Sequence, residues 1–498
     1  MLKSFPFRIY LIALILRLVP VLFARDMGIG LDDMFQYDML ARSLSQGHGF
    51  RWYAQADLDR FASFLDASPS LSTSFDLTSV KDYDPSLGIP TSFRAPLYPT
   101  FLAIVYFFSG TGFSRFFAAR LAQAIFLGAP LAPLTYSVAK KLFSPLLSGE
   151  GTGVRSERPA RIAAWLVAAY PLLLVYPLGL GTENPFFVLL LASTLFLLSS
   201  IEKPNTFHFL ASGILLGLTA LTRSVILPFA GLAILWVWFS LNQKRGAILL
   251  ALGLALTISP WVVRNSLLHN KLTGVETSMG YNLYLGYHPD GNGSFVFGPS
   301  LDLLPVLDDA ERDRIGTEKT IEFIKTQPGR FMPLAVNRLG YFFGLEKRVL
   351  MYFYSNNILG FVPLPLLLLI SAILLLPFVV LSTSATLGFS LLRRKTEHVL
   401  LGLLFVSYIV PHIFILSEDR FHLALVPYIA ILATQFWVGG LGVLYRRWNE
   451  SIFGKVVVVV SVLSVFFLVT NWGLELNRDW DKIAQLFGPN GNQSYFPY

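Results

Sequence analysis

Two adjacent carboxylates, Asp32 and Asp33, open the stretch "GLDDMFQYDMLARSL" just after the first apolar run. A third acid, Glu183, sits in "GLGTENPFFVLLL", where a turn between two helices needs only small residues. Arg223 lies in "GLTALTRSVILPF", where Ser or Asn would make the turn without desolvating a guanidinium. Arg94, Arg264 in "PWVVRN", and Glu418, Asp419 and Arg420 in "SEDRF" complete the set. Carboxylates beside arginines suit one kind of chemistry. The acid takes a proton from a hydroxyl nucleophile, and the guanidinium stabilises charge on a phosphate. Plainer roles exist for each residue. Asp32 or Asp33 could cap the following helix and complement its dipole, as Glu183 could for its own helix. Most of Arg94, Arg330, Arg338, Lys347 and Arg348 read as a solvated rim, of which a lipid phosphate at the membrane surface would use one or two.

Other catalytic patterns are missing. The sequence has no Walker or Gly-rich dinucleotide pattern and no G-x-S-x-G elbow. His48, His269, His288, His412 and His422 are scattered without metal-ligand spacing, and cysteine is absent, which removes thiol and disulfide chemistry. A transfer reaction here would therefore draw its energy from a membrane-borne donor rather than a cytosolic nucleotide. Asp32, Asp33 and Glu183 could equally hold one divalent cation or work without it.

These residues must be positioned by elements in a lipid environment. Of 498 residues, 54% are hydrophobic and 14% charged, against about 25% charged in a soluble domain. The net charge of +8 is dispersed between apolar runs, which speaks for topology rather than nucleic acid. Runs recur at 9–24, 115–139, 160–179, 184–200, 207–222, 225–240, 247–263, 358–381, 398–416, 422–444 and 455–471. The first follows Lys3 and Arg8, lacks a small-x-small cleavage site and reads as an uncleaved span; its Arg17 can snorkel. Basic loops ("AKKLF", "EKPN", "NQKRG", "LLRRKTE", "YRRWNE") alternate with acidic ones ("GLDD", "GTEN", "LSEDR"). The positive-inside rule places the basic set in the cytosol. That alternation holds only if "PLYPTFLAIVYFFSG", 96–110, is a juxtamembrane or re-entrant helix rather than a span.

The expected architecture is an all-α polytopic membrane protein with about eleven spans (11–13), N-terminus in, C-terminus out. Two long outer loops, 25–94 and 265–357, carry juxtamembrane helices, and the membrane domain ends at 471, before an outer tail of 472–498. All the short acidic turns then share one surface with the arginines.

A family likeness runs through the same residues. "LDDMFQYDMLARSLSQGHGF" resembles the first-loop acidic motif of the GT-C glycosyltransferases, in the protein O-mannosyltransferase and aminoarabinose transferase group. "FRAPLYPTFLAIVYFF", "GTENPFFVLLLAS", "GLTALTRSVILPF", "PWVVRN…YNLYLGYHPDGNGSF", "TQPGRF" and "DRFHLALVPYIAIL" are similar to later blocks, in order, as far as about residue 435. The resemblance implies a transferase that takes one sugar from a polyprenyl-phosphate carrier at the outer, periplasmic face of the inner membrane. Aligned on Tyr37 and Ala41, Asp33 falls on the family's catalytic aspartate. The acid that often follows it is Met34 here, and Asp32 can partly replace it, which leaves the choice of aspartate open. Glu183 falls near the second acidic position, which helps hold the acceptor or a metal, and Arg94 near the residue contacting lipid phosphate. Arg94, Arg223, Arg264 and Arg420 are thus candidates for the donor phosphate, and Tyr37, Tyr281, Tyr284 and Glu418 for the acceptor or sugar. The acceptor could be a lipid, a glycan or a protein hydroxyl. A lipid-sugar flippase would instead place charges mid-span, and a glycan polymerase or ligase would lean on the second loop.

Overall fold

The computed structural model describes residues 4–30, 33–66, 83–143 and 153–494, and the side chains of all of these except 61–66 and 153–156. Asp32 lies outside the described residues, as does most of the Ser- and Asp-rich part of the first loop.

The chain is all-α and polytopic. Among the described residues eight helices are long and apolar enough to cross a bilayer: Phe5–Phe23, Arg115–Leu142, Glu183–Glu202, Lys244–His269, Leu364–Leu391, Thr396–Phe414, Phe421–Gly439 and Ile452–Arg478. The bent pair Glu157–Ala169 and Pro171–Leu178, which meet at 52°, makes a ninth if it is one span. Thr206–Ala220 and Ser224–Phe239 are apolar but shorter. Leu97–Ser109 has 13 residues, about 20 Å of helix against a hydrocarbon core of about 30 Å. Pro99 fits its first turn and Gly110, at φ +76°, ends it.

The bend has a cause in sequence. Pro171 cannot donate to the preceding turn, and Tyr170 before it is extended, at φ −64° and ψ 119°. Arg17 donates to the carbonyls of Val167 and Ala168 beside this break, at 3.2 and 3.1 Å. Arg17 is fully buried, so it does not snorkel. Carbonyls left unpaired in an apolar medium are costly enough to hold a guanidinium inward.

Phe421–Gly439 is the central helix, 83% buried, whereas Ile452–Arg478 is only 17% buried and shows Val456, Val460, Leu463 and Phe467 to lipid. Thr206–Ala220 and Lys244–His269 pack closely through glycine. A Cβ at Gly213 would lie 2.1 Å from the Leu250 carbonyl oxygen.

The loops sort by charge. At one end Lys141 pairs with Glu202 (2.7 Å), Trp236 donates to the Thr396 carbonyl (3.0 Å), and His398 meets the Leu142 carbonyl (3.1 Å). At the other end Arg120 joins Gly28 to Leu178, and the acidic turns meet. There the two long loops pack on each other. Asp309 accepts from the Thr91 hydroxyl (2.5 Å) and Ser92 N–H (2.8 Å), and Thr277 N–H donates to the Ser92 carbonyl (3.0 Å). A paired strand, Arg51–Trp52 with Ile89–Pro90, closes the first loop.

The final span does not stop at 471 but runs to Arg478. Trp472 donates to the Phe343 carbonyl (2.7 Å) and Glu475 pairs with Lys347 (2.7 Å). Residues expected to begin a tail instead tie the final span to the second loop.

Candidate active site

Asp33 is the first residue of the helix Asp33–Ser45, where a carboxylate favours the helix dipole. What holds that helix is Asp38. Its buried carboxylate accepts from Arg115 (2.7 and 2.9 Å), Arg42 (2.9 Å) and the Tyr106 hydroxyl (3.0 Å). Arg42 also donates to Asp57 at 2.7 Å. One carboxylate thus fastens the helix to Leu97–Ser109 and to the start of Arg115–Leu142. Tyr37 packs edge-on against Tyr98, with ring centres 5.1 Å apart.

Arg94, three residues ahead of Leu97–Ser109, donates to Asp33 Oδ1 and, through Nε, to Gln36 at 2.8 Å. Its guanidinium lies over the rings of Tyr37 and Phe93, at 5.3 and 5.1 Å. Arg420 Nη2 is 3.5 Å from Asp33 Oδ2, and its Nε is 3.8 Å from Glu183 and 2.7 Å from Glu418. Arg223 donates to Glu183 at 2.8 Å, and Arg348 to Glu418 at 3.0 Å, with Asp419 3.6 Å from Arg348 Nε. Phe421 floors the cluster, beneath Arg223 (5.0 Å) and Arg420 (5.7 Å).

Burial by itself would raise the Asp33 carboxyl. Arg94 and Arg420 outweigh it and hold Asp33 at about 2. Burial pushes the Tyr37 hydroxyl up to about 12, so it remains a neutral donor beside Arg94.

The structure therefore gathers Asp33, Arg94, Glu183, Arg223, Glu418 and Arg420 from five segments. Tyr281 borders them, edge-on to Phe93 at 5.6 Å, with its hydroxyl on the Ser300 carbonyl (2.9 Å). Arg264 and Tyr284 have other partners. Arg264 donates to the carbonyls of Thr91 (2.5 Å) and Phe50 (3.4 Å) and lies over Trp261, so it joins loop to helix instead of facing the cluster. Tyr284 donates to Asp302 (2.7 Å) and packs on His288 and Phe323. Arg348, read as rim from sequence, belongs to the cluster. Asp38 and Gln36 were missed as supports, although Asp38 and Arg42 stand at i,i+4 spacing, which was visible in the sequence.

A divalent ion does not fit these residues as arranged. A metal at Asp33 and Glu183 needs both carboxylates to converge, but the Arg420 guanidinium stands between them. Each is also taken up by a second arginine. Among the described residues no group of three His, Asp or Glu could hold a metal.

No family model and no curated protein matches the chain. Among solved structures it is similar to an oligosaccharyltransferase from Archaeoglobus fulgidus, in complex with zinc and sulfate. The TM-score is 0.47 at 16% identity, covering 99% of this chain and 57% of the other. It is also similar to ArnT from Cupriavidus metallidurans bound to undecaprenyl phosphate, with TM-score 0.36 and 13% identity over 89% and 80% of the two chains. The chain thus spans a little over half the length of the Archaeoglobus protein.

Proposed function

We propose that this protein is a membrane glycosyltransferase of the GT-C type. It moves one sugar from a polyprenyl-phosphate carrier to an acceptor hydroxyl on the extracytoplasmic side. The observation that carries this reading is the cluster of Asp33, Arg94, Arg420, Glu183 and Arg223 at the end of the bundle where the acidic turns meet. A carboxylate able to act as base and several guanidiniums meet beside apolar helices. The ordered sequence blocks from "LDDMFQY" to "DRFHLALVPY" support the same assignment.

The chemistry follows from those groups. Asp33 takes the acceptor's proton as its oxygen attacks the anomeric carbon. A new carbon–oxygen bond forms on one face while the bond to phosphate breaks on the other. The bonding pair leaves on the polyprenyl phosphate, where Arg94 and Arg420 meet the growing charge. A single displacement inverts the anomeric centre. Tyr37 and Tyr281 would border the sugar, and the polyprenyl tail would lie along the lipid-facing spans.

The test is transfer from a panel of labelled polyprenyl-phosphate sugars, comparing intact protein with Asp33→Asn in the same membranes. Transfer that disappears in a folded Asp33→Asn protein is the expected result. Equal transfer by both proteins removes Asp33 as the base. Donor that crosses the membrane without being consumed replaces the transferase with a flippase.

A further inference from the structure

Among the described residues the cluster matches four guanidiniums (Arg94, Arg223, Arg348, Arg420) with four carboxylates (Asp33, Glu183, Glu418, Asp419). An entering phosphate meets no guanidinium here that is without a carboxylate, so it must draw one away. The carboxylates differ in how readily they yield. The side chains of Glu183 and Glu418 are 7% and 5% exposed, and losing a cation would strand their charge in a dry site. Asp33, at 39%, is the most exposed of the four and can turn to water. Arg94 is held independently by Gln36, Tyr37 and Phe93, so it stays in place when Asp33 lets go.

We infer that Asp33 and the donor's phosphate compete for Arg94 and Arg420, so that the catalytic base is set free only when the donor is bound. This rests on the reading above, that a phosphate-linked donor enters the cleft. Arg94 holds Asp33 Oδ1 and Arg420 stands 3.5 Å from Oδ2, so an acceptor hydroxyl arriving before the donor meets no competent base. Phosphate takes over the donors of both guanidiniums, Asp33 turns away from them, and the carboxylate recovers its basicity beside the bond that must break. The ion pair is a lock opened by the donor. Order of binding follows from it: donor first, acceptor second.

The test is equilibrium binding of undecaprenyl phosphate to the full-length protein, comparing wild type with Asp33→Asn and Asp33→Ser. Both variants lack the competitor and should bind about tenfold tighter, the worth of one charge-assisted hydrogen bond no longer given up. Undecaprenol, without the phosphate, should bind all three alike. Equal or weaker binding of undecaprenyl phosphate by folded variants overturns the lock. Inorganic phosphate separates the two readings. If it binds the variants more tightly while undecaprenyl phosphate binds none of the proteins, the lock stands and the lipid donor falls. If neither ligand distinguishes the variants, the lock falls.

Discussion

In the proposed reaction Asp33 is the base, and its neighbours set its charge. Held at about 2, it is depressed below an ordinary carboxylate near 4. The stabilisation from its ion pairs is therefore complete above pH 4 and is lost as pH falls through about 2. The gap in unfolding temperature between wild type and Asp33→Asn should be constant from pH 7 to 5 and shrink below 4. Arg94→Gln should move that fall upward toward pH 4, because the closest cation is gone. Arg223 poses the opposite problem. Arg223→Ala leaves Glu183 buried, with Arg420 3.8 Å away as its remaining cation. A loss of about 3 kcal/mol in denaturant unfolding is expected, and Glu183→Gln should cost less. Arg223 and Arg264 were equivalent candidates in the sequence, as both end an apolar run before a polar turn. Only the packing of Arg264 on Trp261 turns its donors to loop carbonyls instead of the cleft.

Polar ties set back from the cluster secure elements around it. Asp38 does this for the Asp33 helix, and Arg17 for the broken crossing at Pro171. Asp38→Ala takes the shared carboxylate from Arg115, Arg42 and Tyr106 and frees the helix, so thermal stability and transfer should fall together. The expected cost is about 3–5 kcal/mol, that of breaking a buried ion-pair network. Arg17→Met leaves two carbonyls unpaired in the apolar interior and should cost about 1–3 kcal/mol, read from unfolding in the same detergent. Helix existence was legible because hydropathy acts locally, as at Leu97–Ser109, whereas the break at Pro171 falls inside a run, 160–179, that reads as continuous. The ties were not legible. Arg115 reaches Asp38 across 77 positions, and Arg17 reaches Ala168 across 151. Nothing in a short window of sequence records such distances. The helix that runs to Arg478 shows the same effect, since Trp472 and Glu475 belong to it only through the second loop.

For the whole molecule, the loops of like charge gather at opposite ends of the bundle. The sidedness can be read directly because the chain has no native cysteine to confuse labelling. In oriented cells Asp290→Cys should react with a membrane-impermeant maleimide, whereas Lys203→Cys and Arg394→Cys should react only after permeabilisation. All three positions are exposed in the structure, so access alone does not separate them. Reaction of Lys203→Cys or Arg394→Cys from outside would overturn the proposed topology. By itself the sequence determined that the chain is helical and membrane-spanning, and which loops fall together, because hydropathy and loop charge are properties of short segments. It also offered the charged residues that do not belong in apolar turns. Which of them meet was decided by tertiary structure alone. Arg94 and Asp33 lie 61 positions apart, and Arg223 and Glu183 lie 40 apart. Whether two such side chains touch depends on how each helix is rotated and where it ends, and those are set by packing across the bundle.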